Sequence, residues 1–304
     1  MQANQWFVIL NPKAGGGRAM KIWKRVRPQL EKLDLIAHVE STTHKGHATT
    51  IVKEAIEAGY RKLLTVGGDG TNNEVVNGMM QQQEVPSVEL TYALLPVGTG
   101  NDWIRTHQIP KKTDAWLAMI KKGKWNIQDV GLAKLVDESK RRYFVNIAGL
   151  AYDAFVVKYM ETHSRWIAHP IIFQVMILWC LFKYRLEKAV LNYDKQSVSD
   201  YFYTINVGLC RFSGGGMEIC PQAQPNDQHF ALTFAKSISK LGVIRNIYRF
   251  FNGTIGELPQ VETTLAKEVV VETKGIGVEV DGEFVGESPV HFELIPNALK
   301  VIVT

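Results

Sequence analysis

The chain has 304 residues, of which 46% are hydrophobic and 21% are charged, and its formal net charge is +5. These fractions are typical of soluble globular proteins and exclude disordered and low-complexity architectures, while the length suffices for one large domain or two. The sequence has no zinc-finger spacing, no aromatic RNA-binding signature and no long basic helix, so we expect no nucleic-acid partner.

Cysteine usage indicates a reducing compartment. The three cysteines, Cys180, Cys210 and Cys220, have neither metal-site nor redox-motif spacing, and their odd number disfavours a disulfide framework. The first residues lack the features of a signal peptide, so we expect a cytoplasmic protein. The positive charge is spread along the chain, which is typical of a solvated surface; attraction to phosphate groups is the alternative.

Strands and helices alternate over the first part of the chain. Strands are predicted at WFVIL, LIAHVEST, KLLTVGG and TYALLPVG, and helices at AMKIWKRVRPQLEKL, GHATTIVKEAIEAG, TNNEVVNGMMQ and TDAWLAMIKKG. This alternation predicts parallel βαβ units in a doubly wound sheet, whose ligands gather beyond the carboxyl ends of the strands. Three of these strand ends carry unusual sequences, at residues 11–18, 67–74 and 96–102.

After about residue 125 the segments become short, alternating, aromatic and β-branched, which predicts an antiparallel β-sandwich or barrel. Strand-like segments include RYFVNIAGLAYDAFVV and EVVVETKGIGVEVDGEFV, with helical insertions near 162–184 and 240–253. We therefore predict two domains, 1–125 and 126–304, with the last residues as candidates for packing back on the first domain. The cleft between two domains is the natural place for a site.

One glycine-rich turn draws particular attention. The stretch LLTVGGDGTNNEVVNG presents Asp69 after a strand and before a helix that Thr71 or Asn72 would cap. A glycine turn between a strand and a helix N-terminus offers backbone N–H groups to a phosphate. A carboxylate beside a phosphate is repelled unless a divalent cation lies between them, so these residues indicate a metal–nucleotide site. An ordinary tight turn is the alternative.

Five motifs occur in order along the chain: NPKAGGG, GGDGTNNEVVNG, LPVGTGNDWIR, GGGMEICPQAQPND and VDGE. Together they resemble the diacylglycerol kinase catalytic-domain family, which includes bacterial soluble lipid kinases and the sphingosine and ceramide kinases. The resemblance runs nearly end to end. It implies an N-terminal doubly wound α/β nucleotide domain, similar to NAD kinases and phosphofructokinases, and a C-terminal antiparallel β-sandwich domain for the lipid substrate.

The resemblance also implies ATP and Mg²⁺ as cofactors. It assigns nucleotide contacts to Asn11, Pro12, Lys13, Ala14, Gly15, Thr42, Gly67, Gly68, Asp69, Gly70, Thr71, Asn72, Asn73, Glu74 and Thr99. Asp69 is expected to hold Mg²⁺ partly through water, because magnesium keeps several waters. Loop capping is the alternative for Asn11 and Thr42, and a solvated position is the alternative for Lys13.

The acidic motif VDGE is the predicted catalytic centre. A lipid hydroxyl has a high pKa, so a carboxylate within hydrogen-bond reach accepts its proton as transfer proceeds. The resemblance makes Glu283 the first choice for this base, with Asp281 as a metal or orienting partner and Asp69 as the third catalytic residue. An exposed Glu at a hairpin turn is the alternative. Asp102 either assists the cation or the substrate, or caps the helix beginning at WIRTH.

The resemblance further implies a second, structural cation at PQAQPNDQH. Its predicted ligands are Gln224, Asp227 and His229. The chain departs from the family at this turn, because Gln228 follows the Asp where the family usually has Gly.

Residues 165–184 form a long apolar segment with basic ends, interrupted by His169, Pro170 and Gln174. Three interpretations stay open: a membrane-spanning helix, a buried or cleft-lining helix, and a helix dipping into the bilayer interface with Trp166 and Trp179 as anchors.

The predicted function is an ATP- and Mg²⁺-dependent lipid kinase. It would transfer the γ-phosphoryl group to a hydroxyl of a diacylglycerol-like lipid, giving phosphatidic acid or an analogous lipid phosphate. The enzyme would make peripheral contact with the inner membrane face, and a homodimer stays open. The alternatives are an NAD kinase, disfavoured by the GTGND loop and the apolar insertion, and a non-catalytic nucleotide- or lipid-binding regulator, disfavoured by Asp69, Asp281 and Glu283.

Overall fold

The computed structural model describes residues 5–98, 100–136, 141–163 and 170–304, with the backbone alone for 170–174. The predicted nucleotide contact Thr99 and the predicted anchor Trp166 lie outside these residues. The chain divides into two compact units. The first contains residues 1–130 and 296–304, and the second contains residues 131–295.

The first unit is a parallel α/β structure. Its elements are β1 (Trp6–Leu10), α1 (Arg18–Lys32), β2 (Ile36–Ser41), α2 (His47–Glu57), β3 (Lys62–Gly67), α3 (Asp69–Gln81), β4 (Thr91–Pro96), α4 (Trp103–Thr106), α5 (Thr113–Lys122) and the start of β5 (Trp125–Leu135). The strands run in the order β2, β1, β3, β4, and the end of the last strand, β17 (Val290–Ile302), pairs in parallel with β4.

Burial explains why these segments take these forms. All residues of β1 are buried, as expected for a strand covered on both faces of a parallel sheet. In α1 the buried residues Ala19, Trp23, Val26 and Leu30 recur at helical spacing, which gives the helix one apolar face. The doubly wound fold predicted from the sequence is thereby confirmed.

The second unit is built mainly from antiparallel strands. Its elements are β6 (Arg141–Phe144), β7 (Ile147–Ala151), α6 (Tyr152–Thr162), α7 (Pro170–Lys183), β8 (Glu187–Tyr193), β9 (Gln196–Gly208), β10 (Phe212–Ser213), β11 (Met217–Glu218), β12 (Phe230–Lys236), α8 (Lys240–Arg245), α9 (Arg249–Asn252), β13 (Val261–Ala266), β14 (Glu268–Val271), β15 (Gly277–Val280) and β16 (Glu283–Glu287), followed by the start of β17. Strand β9 pairs antiparallel with β7, β8 and β12, so it organises the sandwich-like half.

One segment differs from its prediction. The sequence RYFVNIAGLAYDAFVV reads as strand throughout, whereas the strand ends at Ala151 and a helix runs over Tyr152–Thr162. Ala151 has φ 66°, which breaks the extended backbone. Tyr152 and Val156 are buried, and Tyr159 packs against the same core, so the apolar spacing here is helical.

Helix α7 covers most of the long apolar segment. Within the described residues, no helix is both long enough and apolar enough to span a membrane. Cys180, Leu181 and Tyr184 are buried in the core of the second unit, whereas Trp179 and Phe182 are exposed.

Candidate functional site

Three loops of the first unit lie side by side. Strands β1, β3 and β4 are neighbours in a parallel sheet, so their carboxyl ends meet at one edge. The loops that follow them begin at Asn11, Gly68 and Val97. The motifs NPKAGGG, GGDGT and PVGTGND are therefore brought together by the sheet, at the edge where ligands of such folds bind.

The first loop depends on Gly15. Its φ is 60°, and a Cβ at this position would lie 2.1 Å from the carbonyl oxygen of Val97. No other residue type fits here without moving the third loop. Asn11 fixes the start of the loop: its amide Nδ2 donates to Thr71 Oγ1 at 2.9 Å, and its Oδ1 accepts the Lys13 N–H at 3.0 Å.

The second loop turns directly into α3. The helix begins at Asp69 with Gly68 before it, so the prediction that Thr71 or Asn72 caps the helix is wrong. The side chain of Thr71 packs against Gly67, where a Cβ would approach it to 2.6 Å. No side-chain hydrogen bond caps the N-termini of α1 and α3 within the described residues. Their backbone N–H groups suit an anionic ligand.

The third loop brings a second carboxylate to Asp69. A Cβ on Gly100 would lie 3.2 Å from Asp69 Oδ2 and 3.7 Å from Asp102 Oδ2, so both carboxylates reach the same small space. The Asp102 backbone N–H also donates to Asp69 Oδ2 at 3.3 Å. The Asp102 side chain does not cap α4; it pairs with Arg105 at 3.3 Å. Paired carboxylate oxygens are the donors that Mg²⁺ prefers, so these residues fit that ion.

Asn101 is not among the predicted site residues, although it lies inside the motif LPVGTGNDWIR. It is buried, and its Nδ2 donates to the Gly98 carbonyl at 2.7 Å, which closes the third loop. Gly98 in turn touches Gly68, because a Cβ on Gly68 would lie 2.9 Å from the Cα of Gly98. The second and third loops are thus in backbone contact.

The residues that follow GGDGT in the motif GGDGTNNEVVNG face the interior. Tyr92 donates its hydroxyl to Asn72 Oδ1 at 2.6 Å, and the Asn77 amide donates to Asn73 Oδ1 at 3.1 Å. Glu74 accepts the backbone N–H groups of Gly46 at 2.8 Å and Ala48 at 3.3 Å, so it stabilises the N-terminus of α2. These side chains anchor the loop, while Asp69 and Gly70 lie nearer its surface.

The remaining predicted contacts of the first unit occupy the same edge. Pro12, Ala14 and Thr42 are half-buried, and Lys13 is exposed. The Thr42 N–H donates to the Leu10 carbonyl at 2.9 Å, which holds the end of β2 beside the end of β1.

The VDGE motif forms a tight hairpin in the second unit. Val280 pairs with Glu283, and the two residues between them have positive φ, 48° at Asp281 and 85° at Gly282. This is the pattern of a type I′ turn. The Asp281 carboxylate accepts backbone N–H groups from Val145 at 3.0 Å, Asn146 at 3.0 Å and Ile147 at 3.2 Å. Asp281 therefore holds the hairpin against the turn between β6 and β7.

Glu283 is not a fully exposed turn residue. It is half-buried, and its Oε2 lies 2.8 Å from an Arg142 guanidinium nitrogen. The ion pair fixes the carboxylate in one orientation. Arg142 is separated from Glu283 by 141 positions, so no local sequence signal indicates the pair.

A second pair of acids lies beneath this hairpin. Glu279 is buried, and its Oε2 accepts the Gly282 N–H at 2.7 Å. Burial, followed by the charge of Asp153, raises the pKa of Glu279 well above its usual value. Burial also raises the pKa of Asp153 to about 6, although hydrogen bonds from Thr204 and Asn206 act in the opposite direction. Glu279 is not among the residues predicted from the sequence. The feature that could have indicated it is a charged residue between two valines, Val278 and Val280, in a strand that is otherwise apolar.

The raised pKa of Asp153 predicts a pH-dependent stability. Between its usual 3.8 and about 6, the folded chain holds a proton that the unfolded chain has lost, so stability falls as pH rises through this window. We expect Asp153→Asn to raise the unfolding midpoint at about pH 7.5 and to raise it much less at about pH 4. Thermal unfolding at both values measures this, with Asp114→Asn, on an exposed side chain of α5, as control. A larger gain at acid pH would contradict the assignment.

The second cation site at Gln224, Asp227 and His229 stays a prediction. The described residues contain no group of three or more His, Cys, Asp or Glu that could hold a metal. Gln224 is exposed, Asp227 Oδ1 accepts the His229 N–H at 3.0 Å, and His229 Nδ1 lies 2.8 Å from the Asp227 carbonyl. Gln228 has φ 61°, so it takes the left-handed conformation that favours glycine.

Comparison with known proteins agrees with this architecture. The family model described as diacylglycerol kinase catalytic domain matches residues 5–133, and the model described as YegS C-terminal NAD kinase beta sandwich-like domain matches residues 146–303. A diacylglycerol kinase of Mycobacterium tuberculosis is 28% identical over 97% of this chain and 93% of its own length. One from Staphylococcus saprophyticus is 26% identical over 97% of this chain and 93% of its own length.

The fold has also been seen in crystals. A crystal structure of a diacylglycerol kinase from Bacillus anthracis aligns with a TM-score of 0.75 and 22% sequence identity, covering 100% of this chain and 98% of that one. At this sequence identity the similarity supports the fold alone. The two family models together span nearly the whole sequence, and they follow one another in the same order as the two units. The chain belongs to the diacylglycerol kinase family of lipid kinases.

Proposed function

We propose that the protein transfers the γ-phosphoryl group of Mg-ATP to a hydroxyl of a diacylglycerol-like lipid, giving phosphatidic acid or an analogous lipid phosphate. One observation carries the proposal: the Asp69 and Asp102 carboxylates reach the same space beside Gly100, among three glycine-containing loops. Phosphoryl transfer needs positioned phosphates and neutralised charge more than covalent help, and this arrangement suits both needs.

We assign the nucleotide to the first unit. The backbone N–H groups of the loops at residues 11–17 and 67–71 would bind the phosphates, as expected at the N-termini of α1 and α3. Asp69 and Asp102 would hold Mg²⁺, which when bound neutralises charge on the phosphate oxygens. Asn72, Asn73 and Glu74 would act indirectly, because their side chains shape the loop from inside.

We assign the acceptor to the second unit. Glu283 would take the proton of the lipid hydroxyl while the hydroxyl oxygen bonds to the γ-phosphorus and the bond to ADP breaks. Arg142 would orient the Glu283 carboxylate through their 2.8 Å ion pair. Asp281 would position the hairpin through the three backbone N–H groups that it accepts. Gln224, Asp227 and His229 take no part in any step of this scheme.

NAD kinase is the second candidate, because the C-terminal family model is described as NAD kinase beta sandwich-like. A lipid acceptor is favoured over NAD⁺, because relatives that are similar to this chain over nearly its full length are named diacylglycerol kinase. A lipid acceptor stays in its bilayer, so we also propose that the enzyme works at the inner membrane face from the cytoplasm.

The test is ADP release from Mg-ATP by the purified chain in mixed micelles. Diacylglycerol, monoacylglycerol, sphingosine and ceramide are supplied in turn, with NAD⁺ as a soluble control. We expect release with diacylglycerol or a close analogue, dependent on Mg²⁺. Release with NAD⁺ alone would replace the proposal by its second candidate, and ATP binding without release for any acceptor would favour a regulator.

A further inference from the structure

Exposed apolar side chains concentrate on one part of the second unit. Eight of the fifteen exposed large hydrophobic side chains in the described residues lie within 175–182 and 241–251, which together are only a small part of the chain. They are Val175, Leu178, Trp179, Phe182, Leu241, Ile244, Tyr248 and Phe251. We call this set the apolar face. Isolated exposed hydrophobic residues are ordinary, whereas a concentration indicates contact with a partner or a membrane.

The two segments of the apolar face adjoin each other. The Lys240 ammonium group, at the start of α8, donates to the Phe182 carbonyl near the end of α7 at 2.6 Å. Each segment also has an inward side that accounts for its fold. Ile177 and Cys180 of α7, and Val243 and Phe250 of the second segment, pack against the core of the second unit. Packing of the core therefore accounts for the apolar residues on the inward side of each segment. It does not account for the exposed residues of the apolar face.

Charge identifies the kind of partner. Residues 175–185 and 240–252 contain five basic residues and no acidic one: Lys183, Arg185, Lys240, Arg245 and Arg249. Four of them are exposed, and Arg249 is half-buried and paired with Glu257 at 2.7 Å. Lys183 lies 5.3 Å from the centre of the Trp179 ring, so a cation and an indole are presented together. Apolar residues, Trp and Tyr, and a basic rim are the composition that binds anionic bilayers.

We propose that the apolar face formed by α7 and residues 240–252 docks the protein on an anionic lipid bilayer, with its apolar side chains in the interface and its basic residues at the headgroups. The proposal rests on the proposed function to the extent that a lipid acceptor gives the enzyme a reason to bind a membrane. It adds a second anchoring segment, α8 and α9, to the helix predicted from the sequence.

The test is flotation of the full-length chain with vesicles of phosphatidylcholine alone or mixed with phosphatidylglycerol. We expect binding to the anionic vesicles, weakened by salt, and weakened about ten- to a hundredfold by Trp179→Ser with Phe182→Ser. The matched control is Trp125→Ser. Trp125 is 50% exposed against 49% for Trp179, and it also lies beside a lysine, with Lys300 5.2 Å from its ring centre. Leu241→Ser tests the second segment separately.

A soluble short-chain diacylglycerol distinguishes this proposal from the proposed function. We expect the double variant to phosphorylate the soluble lipid at the wild-type rate and to lose activity on vesicles. If the wild-type protein phosphorylates the soluble lipid but binds no vesicles, the docking proposal is overturned and the kinase proposal stays intact. Vesicle binding that depends on the apolar face, without phosphorylation of any lipid, would support docking and reject the kinase. If the wild-type protein sediments as a dimer, the double variant sediments as a monomer and the wild type binds no vesicles, the apolar face is a contact between two copies. That result would overturn the docking proposal.

Discussion

Replacing Glu283 with Gln is expected to lower the turnover of lipid phosphorylation about 10²–10⁴-fold while nucleotide affinity stays unchanged. Gln has nearly the same shape and keeps an oxygen that can accept from Arg142, so the hairpin should persist. It cannot take the proton of the acceptor hydroxyl. Steady-state rates and a nucleotide titration separate the two effects.

Glu287→Gln is the matched control for this experiment. Glu287 lies in the same strand, β16, and it also pairs with a cation, Lys158 at 3.3 Å, but it is exposed. We expect its rate to stay within about twofold of the wild type, because exposed ion pairs contribute little. Undiminished phosphorylation by Glu283→Gln would show that the base is another group.

Replacing Asp69 with Asn is expected to lower phosphoryl transfer by about 10²–10³-fold or more, because a metal ligand beside the phosphates is lost. The change keeps the size of the side chain and an oxygen that can accept the Asp102 N–H. The more specific sign is in binding. ATP should bind the wild type more tightly in the presence of Mg²⁺, and this gain should disappear in the variant.

Titration calorimetry with ATP, with and without Mg²⁺, measures that difference independently of turnover. Asp114→Asn serves as control, because this carboxylate is exposed on α5 of the same unit, pairs only weakly with Arg25 at 3.4 Å, and lies outside the three loops. A Mg²⁺-dependent gain that survives in Asp69→Asn would remove Asp69 from the metal site.

The sequence predicted the parts of the fold that depend on local chemistry. Alternating strands and helices indicated a parallel sheet, and the glycine-rich motifs marked loops that the sheet order then places side by side. The helix after Ala151 is not predicted, because its apolar and aromatic residues suit strand and helix equally, and a positive φ at a non-glycine residue leaves no clear sequence signal.

Contacts between distant residues could not be predicted. Arg142 meets Glu283 across 141 positions, and Asp281 accepts backbone N–H groups more than 130 positions away. Glu74 belongs to the motif GGDGTNNEVVNG, yet its carboxylate accepts the Gly46 backbone N–H at the start of α2. Such partners follow from the pairing of strands, which a single sequence does not specify. Only the fold therefore separates the motif residues that could bind a ligand from those whose hydrogen bonds hold a loop in place.

Transfer of a phosphoryl group from ATP to a lipid hydroxyl, with the help of Asp69 and Glu283, can be followed with a labelled substrate. The most direct measurement supplies ATP labelled in its γ-phosphate to the purified chain with diacylglycerol micelles and Mg²⁺, extracts the lipids into chloroform, and determines where the label resides. We expect a labelled lipid monophosphate with the wild type and almost none with Asp69→Asn or Glu283→Gln. Label that stays in the aqueous phase with every lipid, or labelled lipid formed equally well by both variants, would contradict this expectation.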